Sequence, residues 1–159
     1  MLAPRAPRWL WRLLQKTLMA LELVPLATGR VGIRSLVWMP DTPCGGRGIG
    51  ELSSFELEGD RVRAHMFGVA AADWPVVSPD GTIATINVRV TLETDDGALL
   101  YADYSGRIDL SKSPLVVYSA PRFDTGDHRY GWLSRIQVVG KGTFDKALLS
   151  IDYEFFERG

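Results

Sequence analysis

Between residues 87 and 105 apolar and polar positions alternate almost without a break. Val88, Val90 and Leu92 interleave with Asn87, Arg89 and Thr91, and Leu100, Ala102 and Tyr104 interleave with Tyr101, Asp103 and Ser105. A period of two sends successive side chains to opposite faces of a strand. Asp95-Asp96-Gly97 separates the two runs, and a glycine free to turn left-handed suits a three-residue hairpin loop with a bulge. With Thr94 opposite Ala98, Leu92 faces Leu100, Val90 faces Ala102 and Val88 faces Tyr104 on one side. On the other, Thr91 faces Tyr101, Arg89 faces Asp103 and Asn87 faces Ser105. The first face is apolar, the second polar and charge-paired. In a flat sheet the polar face meets solvent; in a barrel it can line a lumen if every group is paired. Periodicity leaves both arrangements open.

Similar short, β-branched segments, punctuated by Gly, Pro and Asp, predict strands near 23–33, 50–57, 61–67, 83–93, 99–108, 115–119, 132–139 and 148–156. Pro40/Pro43, Pro75/Pro79 and Pro121 are expected at turns that interrupt the ladders. Many strands with one apolar face must hide their edges, which a closed or nearly closed antiparallel β-barrel does; a two-sheet sandwich is the alternative. An all-β barrel is the expected fold. Before residue 21 the period changes. Arg8, Arg12 and Lys16 recur every fourth residue, while Leu10, Trp11, Leu14, Leu18 and Leu21 fall on the opposite side of a helix. The expected organisation is therefore a basic amphipathic helical extension over 1–20 and a barrel over 21–159. Arg12 and Lys16 interrupt the apolar core that a secretory signal needs. The leucine face is expected to pack on protein; the other reading lays the helix on a membrane surface with Trp9 and Trp11 as anchors.

At 159 residues the chain fits one domain, a size that buries ~70% of the unfolded surface. Its 18 basic and 19 acidic side chains give a net charge of -1, so nucleic acid is not an expected partner. Cys44 is the only cysteine, which excludes an intrachain disulfide and fits a reducing, cytoplasmic setting. Gly45-Gly46-Arg47-Gly48 precedes a strand rather than a helix, so it lacks the helix N-terminus that binds phosphate and reads as a hairpin turn. His65 and His128 stand far apart with no carboxylate at close ligand spacing, and no metal or cofactor is expected.

Residues 121–133 concentrate Arg122, Phe123, Asp124, Asp127, His128, Arg129, Tyr130 and Trp132, and read as a pocket wall. Asp73 beside Trp74 is a carboxyl that an indole can shield, raising its pKa toward that of a general acid or base; capping a turn is its plainer role. Arg122 can clamp an anion or stabilise an enolate, or simply pair with Asp124 or Asp127. Tyr101, Tyr130 and Trp132 offer rings with polar handles to a flat ligand. His65, on a strand between Ala64 and Met66, is read as facing inward. Asp73, Arg122, Tyr101 and Tyr130 are thus the expected catalytic set, and Trp74, His65, Phe123, Trp132 and Arg89 the expected ligand contacts. Asp73, Arg122, Tyr101 and Trp132 are expected to line one pocket.

Four patches, Ala72-Asp73-Trp74, Ser78-Pro79-Asp80-Gly81-Thr82, residues 91–101 and residues 121–133, resemble in order and spacing the domain-of-unknown-function family three-two-three-seven, over about residues 21–156. The resemblance implies a calycin-like barrel that self-associates, without a settled activity. The chain carries Asp124 where members commonly have Glu, and Ser134 where they commonly have Asn. Two functions follow as expectations. One is a cofactor-independent isomerase, cyclase or lyase moving protons on a small hydrophobic or aromatic carbonyl compound. The other is a non-catalytic barrel that binds such a molecule or a protein partner. A homo-oligomer is expected in either case.

Overall fold

A computed structural model describes residues 21–159. The expected helix over 1–20 lies outside the described residues. In chain order the strands are β1 (Leu23–Thr42), β2 (Gly45–Glu58), β3 (Arg63–Met66), β4 (Ala72–Asp73), β5 (Val76–Val77) and β6 (Ile83–Thr94). There follow β7 (Leu99–Asp109), β8 (Leu115–Ser119), β9 (Arg122–Asp124), β10 (Val138–Asp145) and β11 (Ser150–Arg158). All their pairings are antiparallel.

The sheet is a barrel. From β1 the pairing passes through β11, β10, β8 and β7 to β6, and returns through β3, β4 and β5 to β2 and β1. β3, β4 and β5 occupy one position between β2 and β6, as successive pieces of an interrupted strand. The hairpin register has Leu92 opposite Leu100, Val88 opposite Tyr104 and Arg89 opposite Asp103, with Gly97 at a φ of 85° in its turn. This is the register that the turn predicts.

The apolar face is the interior. Val88, Val90, Leu92, Leu100, Ala102 and Tyr104 are buried, and Arg89, Tyr101 and Ser105 are exposed. Charge pairs ride on the outer face, such as Arg30 with Asp152 at 2.6 Å and Arg122 with Asp103 at 2.7 Å. Every Arg, Lys and His among the described residues is exposed.

An aromatic column fills the middle of the barrel. Tyr153 stacks on Phe155 at 5.1 Å between centroids, Phe155 lies 6.4 Å from Phe55, and Tyr104 meets Tyr153 edge-on at 6.3 Å. Glycines make room for it. A Cβ on Gly142 would stand 2.6 Å from the Tyr153 ring, and one on Gly140 2.9 Å from Phe155.

The two ends differ. At the hairpin end, residues 125–135 form a clasp: Arg129 donates to both Asp127 oxygens and, at 2.7 Å, to Asp96, while the Tyr130 hydroxyl donates to Asp96 at 3.0 Å. Beneath it Leu133 is fully buried, and the Arg61 guanidinium lies 4.0 Å from the Trp132 ring. At the opposite end Leu36, Trp38, Ile83 and Leu149 are exposed.

Several sequence expectations need correction. The predicted strand at 132–139 begins only at Val138, because Leu133–Arg135 forms a 3-10 turn of the clasp. β1 runs on to Thr42, carrying Pro40 where its ladder with β2 is irregular. The turn falls at Pro43 and Cys44, so Gly46 and Gly48 belong to β2 instead. Among the described residues no helix is long and apolar enough to cross a membrane.

Candidate functional site

The interruption between β3 and β5 brings Asp73 to the interior. β4 has only two residues; Asp73 lies opposite Gly50 on one side and Val88 on the other. Val88 is buried and itself faces Tyr104. Residues directly opposite share a face, so Leu36, Gly50, Asp73, Val88 and Tyr104 make one inward row across five strands. The Asn87 N–H donates to Asp73 Oδ1 at 2.7 Å. Burial outweighs that bond and the Trp74 N–H bond, and lifts the carboxyl to about 6.

Two phenols share this region. Burial raises the Tyr104 hydroxyl well above its ordinary value, helped by Tyr153 and by the Asp73 charge. Burial and then Asp73 raise Tyr153. Both therefore keep their protons at neutral pH. Tyr104 and Ser119 stand close enough to influence the Tyr153 proton. Even so, neither Tyr153 Oη nor Ser119 Oγ has a hydrogen-bond partner of full geometry, although both are buried. Buried hydroxyls are normally satisfied, and the Tyr104, Tyr153 and Ser119 hydroxyls form one close polar cluster inside the barrel.

This site is not the expected one. Of the proposed catalytic set, only Asp73 faces inward. Arg122 and Tyr101 lie on the outer face of β9 and β7, Arg122 bonded to Asp103 beside Asp124. Tyr130 belongs to the clasp. Of the expected ligand contacts, Trp74 points outward with Arg89 5.3 Å from its ring. His65 also faces out, 3.8 Å from Glu93, since its neighbour Ala64 takes the inward position. Phe123 is buried in the core and Trp132 packs under Arg61. Alternation explains the miss at Trp74: adjacent strand residues point to opposite faces, so the barrel interior, not the neighbouring indole, shields Asp73. Much of the charge in 121–133 is paired, Arg122 with Asp103 on β7 and Arg129 with both Asp127 and Asp96. Tyr104, Tyr153 and Ser119 went unnoticed as site residues, although a tyrosine opposite Val88 in an otherwise aliphatic row was a usable signal.

Fold and interior together define a class: a small antiparallel barrel with an inward carboxyl, Asp73, near buried phenols. A family profile described as protein of unknown function (DUF3237) matches residues 21–157, and the chain belongs to this family. It is 28% identical over 99 residues to UPF0311 protein RPA1785 of Rhodopseudomonas palustris, a match covering 54% of this chain and 63% of that protein. The crystal structure of RPA1785, a conserved protein of unknown function, superposes with a TM-score of 0.79 at 21% identity, covering 88% of this chain and 99% of that one. A beta-barrel like protein from Acinetobacter baumannii AYE gives 0.76 at 24% identity over 88% and 97% of the two chains. An enzyme from Penicillium herquei gives 0.67 at 16% identity over 99% and 100%. At these identities the structural likenesses establish the fold.

Proposed function

We propose that the barrel is a cofactor-independent enzyme that moves a proton on a neutral hydrophobic or aromatic carbonyl compound, in isomerase, cyclase or lyase chemistry. The observation that carries this reading is the Asp73 carboxyl at about 6, in the same interior as two protonated phenols and the unpartnered Tyr153 and Ser119 hydroxyls. A carboxyl with that pKa is mainly ionised at pH 7 yet readily reprotonated, as an acid/base group requires. Its carboxylate takes a proton from the carbon next to the carbonyl. The C–H electron pair moves onto the carbonyl oxygen, where the phenols donate to the developing enolate. The protonated carboxyl trades its proton with solvent and then gives one back to carbon, either where the first left or at a conjugated position. That a relative in fold is called an enzyme is consistent with this reading; a non-catalytic binding barrel would need the hydroxyls but not the raised carboxyl.

In deuterium oxide the wild-type protein is expected to exchange the α-hydrogens of a neutral aryl ketone such as 1-tetralone, with a rate rising through pH 6. Asp73→Asn should remove the exchange, and Tyr153→Phe should slow it by about 10²-fold or more, a typical loss for one oxyanion donor. Equal rates for wild type and Asp73→Asn would overturn the proposal. Self-association belongs to the same reading. Val37, Met39 and Ile49 are exposed on the outer side of the β1–β2 arm, and beyond Gly32 β1 no longer pairs with β11. Exposed apolar edges of this kind pair with copies of themselves. Light scattering should show a species larger than the monomer at micromolar concentration, and a monomer throughout would refute it.

A further inference from the structure

The inward rows do not stop at Asp73. Two irregularities in β1, between Gly32 and Ile33 and between Ile33 and Ser35, reset its alternation, so that Leu36 lies opposite Gly50 and Trp38 opposite Gly48. Gly50 in turn lies opposite Asp73. Leu36 and Trp38 therefore face the same side as the Asp73 carboxyl, yet both are exposed, at 58% and 43%. Glycines on β2 hold them in place. A Cβ on Gly46 would stand 2.2 Å from the Trp38 ring, and one on Gly48 would meet Pro75 at 2.9 Å and Leu36 at 3.1 Å. The indole thus lies against the inward side of β2, where Gly46, Gly48 and Gly50 carry no side chains, beside the Leu36 side chain. Successive inward positions on a strand are about 7 Å apart, so Trp38 stands one such step beyond the row of Leu36 and Asp73.

We infer that Leu36 and Trp38 form the outer half of the Asp73 site and select a neutral ligand of at least two fused rings. The inference rests on the proposed site at Asp73 and adds what that site accepts. Asp73 lies on β4 and Trp38 on β1, with β2 between them, so a ligand whose reacting carbon sits at Asp73 must span at least the ~7 Å of one inward step to reach the indole, which one ring does not and a fused pair does. Charge sets the second limit. Because all described Arg, Lys and His side chains are exposed and the interior carboxyl is the charged group in this row, a carboxylate or phosphate ligand would meet repulsion with no cation to offset it.

Calorimetric titration with three probes tests this: 1-tetralone, a neutral bicyclic ketone; cyclohexanone, its single-ring counterpart; and 1-naphthoate, a bicyclic anion. The wild-type protein should bind 1-tetralone at least about tenfold more tightly than cyclohexanone, the order expected for one aromatic contact with its buried area. 1-Naphthoate should bind more weakly than 1-tetralone. Trp38→Ala should abolish the preference for the bicyclic ketone, and Trp38→Phe should retain most of it. If Trp38→Ala fails to fold, Leu36→Ala carries the same expectation. A preference unchanged in folded Trp38→Ala, tighter binding of the anion, or no binding of any probe to wild type would overturn the inference. The two claims fail separately. Loss of the preference in Trp38→Ala in a protein that exchanges no ketone protons removes the catalytic reading but upholds the platform. Proton exchange that continues with the preference intact does the reverse.

Discussion

Asp73→Asn is expected to be more stable than the wild-type protein at pH 8, by about 2–3 kcal/mol, and to lose most of that advantage at pH 4. The folded carboxyl titrates at about 6, while in the unfolded chain it titrates at ~3.9. Between those values the folded state binds the proton more strongly, so wild-type stability falls as pH rises from ~4 through ~6 and then levels off. Above pH 6 the fold carries a poorly solvated charge, held mainly by the N–H bond from Asn87. Asparagine reproduces the shape of the protonated acid, keeps an oxygen for that N–H and carries no charge. Urea denaturation of both proteins across this range checks the expectation. An Asp73→Asn protein less stable at pH 8, or a difference independent of pH, would mean that the carboxyl is solvated or paired. A gain in stability with a loss of turnover is the trade expected at a working site.

Phe155→Ala is expected to destabilise the barrel by about 3–5 kcal/mol, the range for deleting a buried aromatic ring. Phe155 is 1% exposed and joins Tyr153 to Phe55 in the aromatic column. The ring is boxed by backbone: a Cβ on Gly29 would stand 2.6 Å from it and one on Gly140 2.9 Å. Strands hydrogen-bonded around a closed sheet cannot collapse into the space, so the cavity persists and the loss lies toward the upper end. Chemical denaturation measures it, and a loss below about 1 kcal/mol would show that the column is not tightly packed. Because Tyr153 stacks on the same ring, the substitution should also loosen one phenol of the site.

What could be read from the sequence divides along physical lines. The hairpin register was legible because Asp95-Asp96-Gly97 leaves few ways to close a turn, and one turn fixes every opposite pair from Leu92/Leu100 to Asn87/Ser105. Which face of that hairpin is interior was not, since alternation is symmetrical until the ring closes. β4, β5 and β9 have two or three residues each, too few to express a period, and Asp73 owes its position to one of them. The same shortness hid that Asp73 and Trp74 part to opposite sides of the sheet. The stretch 121–133 suggested a pocket because it crowds aromatic rings and charge between strands. Asp96, a residue of the distant hairpin, accepts from both Arg129 and Tyr130 and ties the stretch down as a clasp. Ser119 and Tyr153 come together only through β8, β10 and β11, with Ser119 opposite Gly140 and Tyr153 opposite Gly142. No local pattern connects them.

The proposed chemistry needs a carboxyl inside the barrel that exchanges its proton near neutrality, and carbon NMR titration of the protein labelled at aspartate Cγ measures this directly. The Asp73 resonance, identified by its absence from Asp73→Asn, should titrate with a midpoint of about 6. A midpoint near ~3.9, the ordinary aspartate value, would place the carboxyl in water and contradict the account.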